Sequence, residues 1–130
     1  MCASKVPSGM KVLVCGGRKC WEWAKIASAL DGILKERPIG IVITGGATGA
    51  DTVADRWAET RGIQRVICPA AWNGLAGRAA GHFRNRFMLS FEPDLVVAFP
   101  GGPGTRDMVE QAKTDGVFVM EFDGEGKRKI

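Results

Sequence analysis

Residues 94–105, DLVVAFPGGPGT, decide how this chain is built. Leu95, Val96, Val97, Ala98 and Phe99 form an unbroken apolar run flanked by Pro93 and Pro100. A strand with one wet face alternates apolar and polar residues, whereas a strand covered on both faces does not. The run therefore predicts a strand inside a parallel sheet. Directly after it come Pro100, Gly101, Gly102, Gly104 and Thr105, and then a helical pattern. Glycines so closely spaced let the backbone take positive φ and present N–H groups with no Cβ in the way. A helix opening at residues 104–105 would aim its unpaired N–H groups and positive dipole end at the turn, which suits an anion such as phosphate. The competing reading is a tight strand-to-helix turn with no ligand.

The same device recurs upstream. Residues 39–44, IGIVIT, are an apolar strand ending in Thr44. Gly45, Gly46, Ala47, Thr48, Gly49, Ala50 and Asp51 follow, with a helix from about residue 50. The first strand, residues 11–15 (KVLVC), runs into Gly16, Gly17 and Arg18. Ligands of open parallel sheets sit at the carboxyl ends of strands, especially where the winding reverses. A turn of this kind used repeatedly favours a small-molecule phosphate site over packing alone.

Between these turns the chain alternates regularly. Trp23, Ile26, Ala27, Leu30, Ile33 and Leu34 recur at helical spacing until Pro38 closes the segment. Val53, Ala54, Trp57 and Ala58 mark the apolar side of the next helix, and Gly62 is placed as its cap. Trp23 and Trp57 are expected in the core. Residues 64–68 read as a third strand and residues 79–91 as a helix with Phe83, Phe87, Met88 and Phe91 apolar. A last helix ends at Gly116, and residues 117–122 form a fifth strand. Five strands alternating with four helices predict an α/β fold, an open parallel sheet of about five strands with helices on both faces. A single domain over residues 10–123 is expected, with residues 1–9 and 124–130 as flexible termini.

Composition narrows the partners. No apolar run approaches the ~20 residues of a membrane span, and MCASKVPSGM lacks the charged start and apolar middle of a signal peptide. No membrane association and a cytoplasmic location are expected. One histidine and four cysteines without a CxxC pair predict no metal site. The net charge of +4 points to nucleic acid only until it is located. Lys5, Lys127, Arg128 and Lys129 lie at the ends, and without them the eighteen basic residues fall to fourteen, equal to the acidic ones. A nucleic-acid surface built on the fold would show a basic excess within it. The glycine turns match neither the triphosphate-binding GxxxxGK[ST] nor a GxGxxG after the first strand, so no cofactor is expected.

GGR after the first strand, TGGATGAD after the second, PAAW, AGHFRNRFML and DLVVAFPGGPGT together resemble the SLOG superfamily, and within it the small YspA-type, YpsA-related branch. The resemblance spans residues 11–122 with its motifs in order. It implies a Rossmann-like domain whose glycine turns bind a nucleotide or nucleotide-derived small molecule, to sense or process it. Homo-oligomer formation is a further expectation for this superfamily that no stretch of the sequence tests.

The superfamily also includes the LOG enzymes, which hydrolyse nucleoside 5′-monophosphates to a free base and ribose 5-phosphate. Their pattern has an arginine shortly before the fourth strand and then PGGxGTxxE. His82, Arg84 and Met88 stand where that family has similar residues, and Arg84 matches its catalytic arginine. The glycine turn matches through Thr105, but Met108 takes the place of the glutamate, beside Asp107 and Glu110. Losing a carboxylate that assists departure of the base removes ~10²–10⁴-fold in rate. LOG-like hydrolysis is thus the alternative to simple binding, and single-stranded DNA binding after the manner of the DprA-type relatives ranks third.

Single residues carry the expected contacts. Arg18 and Arg84 offer guanidinium groups to phosphate, with Asn85 beside Arg84 in the same motif. Asp51, at a helix N-terminus, is a dipole partner first and an acceptor for a ribose hydroxyl second. Trp72 is a candidate to stack on a base, though tryptophans more often serve packing. His82 is expected to be structural or a minor contact.

Overall fold

Val12, Leu13 and Val14 are all fully buried, which requires cover on both faces of the first strand. The computed structural model describes residues 9–20, 22–70 and 79–129. In it the chain runs β1 (Met10–Cys15), α1 (Trp23–Glu36), β2 (Ile39–Thr44), α2 (Ala50–Thr60), β3 (Gln64–Ile67), α3 (Ala80–Leu89), β4 (Leu95–Ala98), α4 (Pro103–Thr114) and β5 (Phe118–Glu121). All strand pairs are parallel, in the order β3-β2-β1-β4-β5. The chain steps outward from β1 through β2 and β3, then returns to the other side of β1 for β4 and β5. That reversal places a topological switch point between β1 and β4.

Successive strand residues point to opposite faces, and the core divides accordingly. Val12, Val14, Val42 and Val97 pack with Ile26, Leu30 and Ile33 of α1 and Val53 and Trp57 of α2. Leu13, Ile43 and Val96 pack with Met88 and Leu89 of α3 and Met108 and Ala112 of α4. The expected Rossmann-like sheet with helices on both faces is the observed one.

Trp57 is fully buried, and its indole N–H donates to Asp31 Oδ1 at 2.9 Å, tying α2 to α1. Trp23 departs from expectation: it is 42% exposed, because it opens α1 one turn ahead of Ile26, the first buried residue of the helix. Phe83, Phe87 and Phe91 are likewise exposed along α3 and the turn after it, while Met88 faces the core. Gly62 ends α2 with φ 69, and the Ile63 N–H closes the cap on Ala58 O at 2.9 Å.

The tail expected to be flexible turns back on β5. Asp123 Oδ1 accepts from the N–H groups of Glu125 and Lys127, and the Lys129 N–H donates to Glu121 O at 2.7 Å. Among the described residues, no helix is long and apolar enough to cross a membrane.

Candidate functional site

The carboxyl ends of β1, β2 and β4 open into one cleft of about 1020 Å³. The β1 end contributes Gly16, Gly17 and Arg18, and the β2 turn Gly45, Gly46, Ala47 and Asp51. Arg84 and Asn85 reach it from α3, and Pro100, Gly101, Gly102, Gly104 and Thr105 from the β4 turn. Residues more than 80 positions apart thus meet at the switch point. Thr44, Gly49 and Ala50 are not among the lining residues. They lie behind the surface, with Thr44 and Ala50 both buried. Trp72 lies outside the described residues.

The β1 and β4 turns are joined backbone to backbone. The Gly17 N–H donates to Pro100 O at 2.8 Å, and the Phe99 N–H to Cys15 O at 2.9 Å. A Cβ on Gly101 would lie 2.8 Å from the Gly17 nitrogen, so this glycine serves close approach. The positive φ expected of this turn is absent, and Gly102, which caps α4, has φ −97. Among the described residues, a Cβ on Gly102 or Gly104 would meet nothing within 4 Å, and both line the cleft.

The β2 turn does use positive φ, at Gly46 (71) and Gly49 (87). Gly49 presses against the β1 loop, and the Ala50 N–H donates to Gly17 O at 3.2 Å. Asp51, only 5% exposed, folds back into its own turn. Its Oδ2 accepts from the N–H of Gly45 at 3.1 Å and of Ala47 at 3.2 Å. Arg84 closes the same turn from the other side, donating through Nη1 to Gly45 O at 3.0 Å and through Nε to Asn85 Oδ1 at 3.1 Å.

Burial pushes the Asp51 carboxyl up to about 6, against the Ala47 N–H, the Arg84 charge and the Gly45 N–H, which all favour the ionised form. The folded protein therefore holds this proton more tightly than the unfolded chain does. The stabilisation is complete below the ordinary carboxylate value and is lost as pH rises through about 6, by roughly 3 kcal/mol in all. Asp51→Asn keeps an acceptor for the turn but cannot titrate. In urea titrations from pH 4 to 7 the variant should gain stability relative to wild type as pH rises. A difference that stays flat or moves the other way would refute this account of Asp51.

Asn85 is 3% exposed and works between helices. Its Nδ2 donates to Gly104 O at 3.1 Å and Asp107 Oδ2 at 2.9 Å, fixing α3 against the start of α4. Asp107 also accepts from Gln111 Nε2 at 2.8 Å and meets His82 Nδ1 at 2.9 Å. Burial works to raise its carboxyl, but these hydrogen bonds outweigh it and hold the group below its usual range. His82 is therefore part of this helix-joining cluster and is not a cleft-lining residue. Met108, at the position of the LOG glutamate, is fully buried between α3, α4 and the sheet.

Lys19, Cys20, Pro69, Ala70, Gly81 and Pro103 also line the cleft without having been singled out from sequence, and so do Thr48 of the β2 turn and Met88, one of the LOG-matched positions. For Lys19 the signal was available, since it extends the GGR motif to GGRK. Pro69 and Ala70 begin the PAAW stretch. Cys20 carried no signal; its thiol donates to Pro100 O at 3.0 Å. Burial pushes the Cys15 and Cys68 thiols up, so neither offers a thiolate at neutral pH.

Comparison with known proteins gives the family and agrees with the fold. A family model described as the YspA, cpYpsA-related SLOG family (YAcAr) matches residues 10–74. The Gene 61 protein of Mycobacterium phage D29 is 35% identical over 120 residues, which is 86% of this chain and 95% of that protein. DNA processing protein A (DprA) of Streptococcus pneumoniae aligns with 87% of this chain at a TM-score of 0.70 and 18% identity. MurG of Acinetobacter baumannii aligns with 88% at 0.57 and 14%. This chain spans 50% and 35% of the lengths of those two structures, and the likeness to them is one of fold.

Proposed function

The chain belongs to the YspA, cpYpsA-related SLOG family, and from that premise we propose that its cleft binds a nucleotide-derived small molecule through phosphate. The observation that carries this reading is the convergence of three glycine turns on one cleft at the switch point. Helix α4 opens into that cleft, and the start of such a helix suits an anion. Arg18, Lys19 and Arg84 supply positive charge along its wall.

A thermal-shift panel of nucleoside mono-, di- and triphosphates, dinucleotides and cyclic nucleotides tests it. A ligand at ~100 times its dissociation constant adds about 2.7 kcal/mol, a rise of roughly 5–10 °C in a domain of this size. At least one class should produce such a shift, and Arg18→Ala should cut its affinity by about tenfold, as loss of one charge-assisted contact does. A flat panel on folded protein would sink the proposal.

N-glycosidic hydrolysis is the second reading, favoured by Arg84 in the cleft wall. The burial of Met108 and the engagement of Asp107 count against it, and Asp51 is the carboxylate lining the cleft among the described residues. Free base released from a nucleoside monophosphate, and no longer released by Arg84→Ala, would restore it.

A further inference from the structure

Gly45 stands between two opposite charges. A Cβ on it would lie 2.7 Å from Arg84 Cζ and 3.1 Å from Asp51 Oδ2, so the guanidinium and the carboxylate both reach into the space of one missing side chain. Each is held by hydrogen bonds of its own. Asp51 Oδ2 accepts from the Gly45 and Ala47 N–H groups, and Arg84 donates to Gly45 O and Asn85 Oδ1. Asp51 is buried, Arg84 is half-buried, and both line the cleft. Water and salt screen such charges weakly, so the charge state of one governs what the other can hold.

Among the described residues, Arg84 from α3 is the charge that acts on Asp51. β1 brings Cys15 against it, and Cys68 follows β3 within the field of Arg84; burial keeps both thiols protonated. The β4 turn brings nothing, since residues 100–105 carry no ionisable side chain. Arg18 and Lys19 stand on the β1 loop in the same cleft. Burial drives Asp51 toward its neutral form, and Arg84 helps to keep it ionised. An anion drawn against Arg84 offsets that help and adds its own repulsion, so a proton moves onto the carboxylate. The converse follows by linkage: with Asp51 protonated, Arg84 faces the cleft uncompensated and holds an anion more tightly.

We propose that Asp51 is a proton-coupled switch on the cleft: an anion bound beside Arg84 takes up a proton on Asp51, and affinity rises in acid. The proton comes from solvent and leaves again with the anion. The inference rests on the phosphate-site reading above and adds to it a regulation of that site by pH. In the empty cleft Asp51 titrates near its raised value of about 6, and with an anion bound its midpoint lies higher. Affinity is therefore greatest below about 6, falls as pH rises from there to the anion-bound midpoint, and is level above it.

Sulfate is the probe, because it stays doubly charged over this range, whereas a phosphate monoester itself titrates near ~6. Titrations followed by amide NMR shifts at constant ionic strength should give about tenfold tighter binding at about pH 5 than at about pH 8. The Asp51 carboxyl ¹³C signal should reach its midpoint at a pH about one higher in saturating sulfate, which is the same factor read from the other side. Asp51→Asn should bind sulfate equally at both pH values. Arg18→Ala, at an exposed position, should weaken binding at both and leave their ratio near tenfold.

A ratio near one in wild type overturns the switch while the anion site stands, and so does a ratio that survives Asp51→Asn in a folded variant. Should that variant not fold, the carboxyl titration of wild type decides, and a midpoint that sulfate does not move overturns the inference. Folded wild type that binds no sulfate at either pH removes the phosphate site and this inference together.

Discussion

Gly102→Leu should lower affinity for the nucleotide that shifts the melting curve by about 100-fold or more, equivalent to roughly 2.7 kcal/mol, and leave the fold intact. Gly102 caps α4 with φ −97, where backbone strain does not demand glycine, and a Cβ there would meet nothing within 4 Å among the described residues. A leucine side chain would fill the open space before the first N–H groups of α4. Leucine is a poorer N-cap than glycine, at a cost on the order of 1 kcal/mol, so melting should fall by only a few degrees. Calorimetric titration of the folded variant decides the matter. Undiminished affinity would move the phosphate away from the β4 turn.

Gly49→Ala should have the opposite profile, a large loss of stability before any question of binding arises. The residue has φ 87, a conformation that alanine adopts at a cost of about 1–3 kcal/mol. An added Cβ would also lie 2.6 Å from the carbonyl carbon of Arg18 and closer still to the Gly17 oxygen, both backbone atoms of the β1 loop. Together these predict a loss of about 3 kcal/mol or more, a large share of the ~5–15 kcal/mol available to a small domain. Gly32→Ala is the control. It lies inside α1 with nothing among the described residues within 4 Å of its added methyl and should stabilise by about 0.5–1 kcal/mol. Urea titrations of both variants test the pair, and a Gly49→Ala protein as stable as wild type would contradict the close packing described.

These two glycines show what the sequence made legible and what it did not. The parallel sheet could be read because residues 95–99 and 39–44 are apolar without alternation, and only a doubly covered strand tolerates that. The cleft at the strand ends could be anticipated because glycine turns follow three such strands. A glycine in a sequence reports a missing side chain without saying what fills the space. At Gly49 the space holds the carbonyls of the β1 loop, at Gly101 the Thr105 hydroxyl and the Gly17 nitrogen, and at Gly102 nothing among the described residues. Only the folded chain distinguishes them.

Asp51 was legible as a helix-start acid, but its return to Gly45 and Ala47 depends on the curvature that Gly46 and Gly49 impose. Asn85 lay inside a recognisable motif, yet its work is done on Asp107 and Gly104, some twenty positions away. Trp23 shows the limit of periodicity. Helical spacing identifies a face but not how far along the helix that face is covered.

The joining of β1 to β4 also bears on the order in which the molecule assembles. Asp94 pairs with Lys11 across 83 positions of chain, whereas β1 meets β2, and β4 meets β5, through a single intervening helix. Contacts closed over long loops form slowly and tend to come late in folding. The half-sheets β1–β2–β3 and β4–β5 can each take shape before the seam between them closes, and the cleft exists only once it has. A molecule held across that seam would grip a late-forming contact. It would therefore act as a brake on unfolding, with little influence on how quickly the chain folds.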